Sequence, residues 1–312
     1  MFNINKELAD VKVGPATVFA GLAVFPLIRK HPVTRDYLTL SEAFGKGGVE
    51  VSEVSEGGSV PELKLKNKLD QDVFAADGET LLGAKQHRVL NTAIFVNAKS
   101  EIKVPVSCVE QGRWHYRERD FRDCEYSEFI NSRAAKMASV GASLKASGWD
   151  RQSDQCEVWE QVASKQREFG VHSPTGSMED VYEARRPRLD QYVENFRVQP
   201  GQVGLACSID GKIAGLEMFE ETGVYRQYSS KLIRAYASEV LGKESLAASV
   251  PDRFDVRRLL VNVGKADVDA YPAIGNGTEL RFDVKGLHGS ALVAKDRLVH
   301  LVMLRGEKGR TY

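Results

Sequence analysis

Lys85, Gln86, Arg88, Asn91, Glu110, Arg113 and Trp114 fall within one stretch of thirty residues, around two apolar runs that read as strands. Lys85, Arg88 and Arg113 suit phosphate or carboxylate, and Gln86 and Asn91 can supply directional hydrogen bonds. Trp114 offers a face for stacking a ring. Glu110 is the candidate acid-base group, with Lys85 as a second catalytic candidate. Gln86, Arg88, Asn91, Arg113 and Trp114 are then the ligand-binding candidates. The competing arrangement needs no ligand: Arg113 pairs with Glu110, Lys85 extends to solvent and Trp114 caps the core.

The elements that must hold these groups are Leu90 to Val96 and Ile102 to Val109, rich in β-branched residues. Joined at residues 98–101, they read as a hairpin in which Asn97 opposes Ile102 and Asn91 opposes Cys108. That register puts Asn91, Phe95, Val106, Cys108 and Glu110 on one face, and Thr92 and Ser107 on the other. Lys85, Gln86 and Arg88 enter at the end where Gly112, Arg113 and Trp114 leave, so both strands bring polar groups to one rim.

Other chemistries are poorly supported. Cys108 precedes Arg113 by four intervening residues, one fewer than a cysteine-phosphatase loop needs, and reads as a core thiol. The histidines 31, 87, 115, 172, 288 and 300 form neither H-x-H nor H-E-x-x-H, so no metal site is expected. His300 reads as an interior, hydrogen-bonded histidine. Glu217 and Glu220 are weaker acid-base candidates, expected to be solvated. No phosphate-loop, dinucleotide or serine-elbow motif occurs, so no cofactor is named.

Lysine plus arginine equals aspartate plus glutamate, 43 each, which gives no global attraction for nucleic acid or an anionic membrane. The apolar run from Val18 to Ile28 is too short to span a bilayer and reads as one buried strand. Four separated cysteines and no recognisable export signal suggest a reducing, cytoplasmic setting.

The expected class is α+β. Residues 1–122 read as a β-rich part with an antiparallel sheet, sandwich-like or barrel-like. Residues 123–200 read as a helical segment of three amphipathic helices, the third opened by a Ser177/Asp180 capping box and kinked or interrupted at Pro187. Residues 201–312 read as an α/β part with a tight hairpin at Asp210-Gly211 and a helix ending at Gly242, completing the same domain.

Asp77-Gly78-Glu79 leading into Gly83-Ala84-Lys85-Gln86-x-Arg88, followed by Pro105-Val106-Ser107-Cys108-Val109-Glu110-x-Gly112-Arg113-Trp114, resembles a bacterial domain family. That family is named for its association with ADP-ribosylglycohydrolases and rhodanese-phosphatase-like proteins. His87 departs from the asparagine expected in the family pattern. The resemblance implies a nucleotide-derived ligand of the ADP-ribose or NAD type. Two functions follow as expectations: an enzyme or sensor holding such a ligand on the rim, or a non-catalytic scaffold that binds a protein partner or forms a homo-oligomer.

Overall fold

The run from Val18 to Ile28 forms two strands rather than one. Ala20 and Gly21 take φ values of 43° and 85° and reverse the chain in a tight turn. The computed structural model describes residues 4–241 and 250–306. It begins with α1 (Ile4–Ala9), β1 (Val11–Val13), β2 (Thr17–Phe19), β3 (Leu22–Arg29), β4 (Tyr37–Thr39), α2 (Leu40–Gly45), β5 (Val49–Glu53) and β6 (Glu62–Asn67). Short strands follow: β7 (Asp72–Ala75), β8 (Thr80–Gly83), β9 (Arg88–Leu90), β10 (Ile94–Val96), β11 (Glu101–Cys108) and β12 (Phe121–Arg122). Three long helices come next, α3 (Ile130–Ser147), α4 (Gln155–Phe169) and α5 (Met178–Asn195). The remainder is β13 (Gln202–Ile209), β14 (Lys212–Phe219), α6 (Thr222–Ala237), α7 (Arg253–Val263), β15 (Asp269–Pro272), β16 (Ile274–Gly275), β17 (Thr278–Val284), β18 (Leu287–Ala294) and β19 (Arg297–Arg305). The class is α+β.

β3 from the start of the chain pairs with β13, placing it in a nine-stranded sheet with the C-terminal strands. Both faces of this sheet are covered, which is why β19 reads as an almost unbroken apolar run. Leu301 and Met303 join the core that includes α1 and α7, while Val302 and Leu304 join the core that includes α3 to α6. A third core lies among β5 to β11 and α2.

The expected hairpin between Leu90–Val96 and Ile102–Val109 does not form. β11 pairs with β9 in the register Cys108 opposite Arg88 and Val106 opposite Leu90, and its first half pairs with β6. β10 instead pairs with β7 and, in parallel, with β16. The 98–101 segment is a turn with Lys99 at φ 52°, but the strands leaving it join different neighbours. Parallel pairing also joins β4 to β7, so the smaller sheets are not wholly antiparallel.

Three helix details differ from expectation. Helix α5 continues through Pro187. Ser177 caps it by accepting from Glu179 N, whereas Asp180 accepts from Ser173 Oγ, so the Ser177/Asp180 box is absent. Helix α6 ends at Ala237 with Ser238 as C-cap, and Gly242 lies outside the described residues.

Candidate functional site

The observed register brings Arg88 directly opposite Cys108, and this sets what the rim can do. Arg88 Nη1 donates to Gln86 Oε1 and Cys108 Sγ, both at 2.8 Å. Its Nε and Nη2, the side-on fork of the guanidinium, are buried without a hydrogen-bond partner. Glu53 Oε1 stands 3.7 Å from Nη2, beyond hydrogen-bond length, and both Glu53 oxygens are also unpartnered. Glu53 was not singled out in the sequence, although the alternation Val49, Val51, Glu53 places it on the buried face of β5.

Lys85 and Trp114 pack beside this guanidinium. Lys85 is buried, with Nζ donating to Gly57 O at 2.8 Å and lying 5.4 Å from the Trp114 ring centre and 5.2 Å from that of Tyr116. Arg88 lies 5.6 Å from the Trp114 ring centre. Trp114 itself is 45% exposed, so it does not cap a core and keeps ring surface open to solvent. A side chain at Gly58 would meet Trp114, Lys85 and Glu53 at 3.1–3.4 Å, so the loop backbone packs closely against these three residues.

Arg113 and Glu110 are engaged elsewhere. Arg113 donates from Nε and Nη2 to the Glu110 carboxylate at 2.8 and 2.6 Å, from Nη1 to Ala84 O and His115 O, and from Nη2 to Gly83 O. All five N–H groups have acceptors, leaving none for a phosphate. Glu110 also accepts from Thr175 Oγ1 and His87 N. Burial alone would raise its pKa, but the Arg113 hydrogen bonds and the nearby His87 hold it below the usual carboxylate range. A fully buried carboxylate so held is a counter-ion and has no proton to exchange near neutral pH.

Asn91 turns away from Arg88. Its amide donates to Arg151 O and its oxygen accepts from Ser107 Oγ, so Asn91 and Ser107 are partners rather than residues of opposite faces. It lines a separate groove with Trp149 and Arg151. Gln86 donates to Gln111 O while accepting from Arg88, which makes it the residue that orients the guanidinium. Burial pushes the Cys108 thiol up to about 11, against thiolate chemistry. Burial, with Arg113, Arg117 and Arg122 nearby, takes His87 down to about 4 despite Glu110.

The Asp77-Gly78-Glu79 block anchors helices. Asp77 faces Arg133 and Lys136 of α3 at 3.5 and 3.2 Å, while Glu79 meets Lys231 at 3.2 Å and Tyr228 Oη at 2.7 Å on α6. Gly78 has φ 74° and a Cβ there would strike Arg133 at 2.6 Å, so glycine is required on both counts. Glu217 forms a buried network with Arg133 and with His300, which is the interior, hydrogen-bonded histidine expected; Glu217 and Glu220 are both buried, contrary to the expectation that they are solvated. No group able to hold a metal ion occurs among the described residues.

No curated protein and no solved structure matches the chain significantly. Residues 10–304 match the model of the ARPP-1 domain, the ARG and Rhodanese-Phosphatase-superfamily-associated Protein domain, and the chain belongs to that family.

Proposed function

We propose that this protein binds a phosphorylated, ring-bearing small molecule of the ADP-ribose or NAD type at the Arg88–Lys85–Trp114 cluster, as a sensor rather than a catalyst. The observation that carries the reading is the side-on fork of Arg88, buried and unpartnered beside a second cation and a half-exposed indole. A phosphoryl group accepts well from such a fork, and a base or nicotinamide ring can stack on Trp114. Lys85 then supplies charge rather than catalysis. Glu53 is suited to accept from a ligand hydroxyl or a protonated phosphate oxygen. The sensor reading rests on Glu110, whose oxygens are taken by Arg113, Thr175 and the His87 amide.

Calorimetric titration with ADP-ribose, NAD and ATP, with chromatography of each mixture, tests this. At least one should bind, remain unchanged, and bind at least tenfold more weakly to Lys85→Ala and Trp114→Ala. Glu53→Gln removes a negative charge beside the phosphoryl group and should tighten binding. Absence of binding by all three ligands would overturn the reading and favour the scaffold alternative; product formation would overturn the sensor assignment.

A further inference from the structure

A cleft of about 360 Å³ lies between the α3–α4 connection and residues 60–62 and 105–106. Its size is within the range of small-molecule sites, and none of Arg88, Lys85 and Trp114 borders it.

Trp149 is one of its walls and is 73% exposed, far more than the apolar area of an indole favours. The backbone that carries it is nonetheless fixed. Gly148 ends α3 at φ 82°, donating to Leu144 O, and the Ser147 hydroxyl accepts from the amides of Trp149 and Asp150 at 3.2 and 2.8 Å. Arg151 Nη1 donates to Trp149 O, and Asn91 Nδ2 donates to Arg151 O. Asp150, also on the wall, is half-buried, and its carboxylate has neither a hydrogen-bond donor nor an ion-pair partner among the described residues.

Most other polar groups of the cleft are already answered. Asn91 Oδ1 accepts from Ser107 Oγ, which also meets Ser153 Oγ, and the Gln155 amide bonds both ways to the Cys108 backbone. Arg151, the one cation on the walls, is buried and donates to Glu279, Trp149 O and Pro272 O. Glu62 meets Lys103 at 3.0 Å. What remains is an open aromatic face beside an unanswered carboxylate, with no cation free to receive an anion.

We infer that this cleft binds a guanidinium group, stacked on Trp149 and paired with the Asp150 carboxylate. A guanidinium is a planar cation that stacks on aromatic rings and donates two parallel hydrogen bonds to a carboxylate, so one group uses both features. An ammonium has neither plane nor fork. A phosphate or carboxylate would face Asp150 and Glu62, and a sugar needs donors where the Asn91 and Gln155 amides are already committed. Val60, Pro61 and Pro105 supply apolar wall for the carbon chain that carries the guanidinium. A free guanidino compound and an arginine side chain of a partner peptide present the same group.

Isothermal titration of the full chain tests this, with the indole N–H signals of its three tryptophans followed by NMR to locate the ligand. The probes are N-acetyl-argininamide and an alanine pentapeptide with a central arginine. N-acetyl-lysinamide keeps the charge without the plane, N-acetyl-citrullinamide keeps the plane without the charge, and ribose represents polyols. The argininamide should shift the Trp149 signal and bind at least tenfold more tightly than the lysine, citrulline and ribose probes. Trp149→Ala and Asp150→Asn should each weaken it at least tenfold. Trp149 lies on the surface, so its variant carries the test if Asp150→Asn fails to fold. Tenfold tighter binding of the pentapeptide would assign the group to an arginine of a protein partner, and equal or weaker binding to a free guanidino compound. No binding of either arginine probe, equal binding of the lysine, citrulline or ribose probe, shifts confined to the other two indoles, or undiminished binding in Trp149→Ala would each overturn the proposal.

Discussion

Arg133 and Glu217 close a two-point ion pair, Nη1 to Oε2 and Nη2 to Oε1, each at 2.8 Å, joining α3 to the middle of the long sheet. His300 Nε2 stands 2.8 Å from the same carboxylate, and Asp77 approaches Arg133 from the β7–β8 turn at 3.5 Å. The pair therefore ties together segments that are distant in sequence: residues 77, 133, 217 and 300. Replacing one partner leaves the other charged and buried, which costs about 3–5 kcal/mol, whereas replacing both by apolar residues recovers much of that. Arg133→Met should lose stability of that order in urea unfolding, and adding Glu217→Leu should return part of it. A single variant as stable as the parent would show that the pair does not hold α3 to the sheet.

The same network and His87 set an acid limit. Burial raises the pKa of Glu217, but the Arg133 charge and the hydrogen bonds from His300 and Arg133 outweigh it and bring it down to about 2. A carboxylate depressed in the folded state contributes stability above its unfolded pKa and loses it as pH falls toward the folded value. His87, lowered to about 4 chiefly by burial, acts in a higher window: the unfolded chain takes up its proton first, so stability falls as pH drops from about 6.5 to 4. Wild type should therefore lose more stability over that window than His87→Asn, by up to about 1.4 kcal/mol per pH unit. Equal slopes measured by urea unfolding at stepped pH would remove His87 from the account.

The four cysteines differ in predicted reactivity. Cys108, Cys124 and Cys207 are buried and Cys156 is exposed. Burial pushes Cys108 up to about 11 and Cys124 up to about 12, so neither presents a thiolate near neutral pH. A thiol reagent applied to native protein should label Cys156 rapidly and the other three only on unfolding, read by peptide mass mapping. Fast labelling of Cys108 would reopen its use as a nucleophile.

Much of this was legible in the sequence, and the gaps have physical causes. The Asp210-Gly211 turn and the three central helices follow from local chemistry, φ values of 48° and 73° in one case and apolar spacing in the other. The pairing of β11 did not, because a short loop between two apolar runs suggests a hairpin, while the actual partners β6 and β9 were chosen by packing over longer range. The error reversed which face carries Asn91. Helix α7 was missed, although Asp252 and Asp255 form a capping box before its apolar stripe. At the rim, residue types suggested a polar cluster, but not which members answer one another. Arg113 and Arg88 look alike in sequence; one has five acceptors and the other an unpartnered fork, a difference fixed by the carbonyls of Gly83, Ala84 and His115.

That difference can be measured. A residue that merely neutralises a phosphate tolerates Arg→Lys, since an ammonium keeps the charge. Arg113 instead bridges the Glu110 carboxylate and three backbone carbonyls with a planar five-donor group, which a lysine cannot reproduce. Arg113→Lys should therefore be destabilised by about 2–4 kcal/mol, approaching the 3–5 kcal/mol expected when a buried ion-pair partner is removed outright. Arg113→Ala sets that upper reference. Lys85 provides the contrast: its Nζ donates to Gly57 O at 2.8 Å, and Lys85→Arg keeps the charge beside Trp114. Thermal unfolding of both conservative variants should show a large fall for Arg113→Lys and a small one for Lys85→Arg. The reverse order would move Arg113 out of the scaffold and back among the candidate ligand contacts.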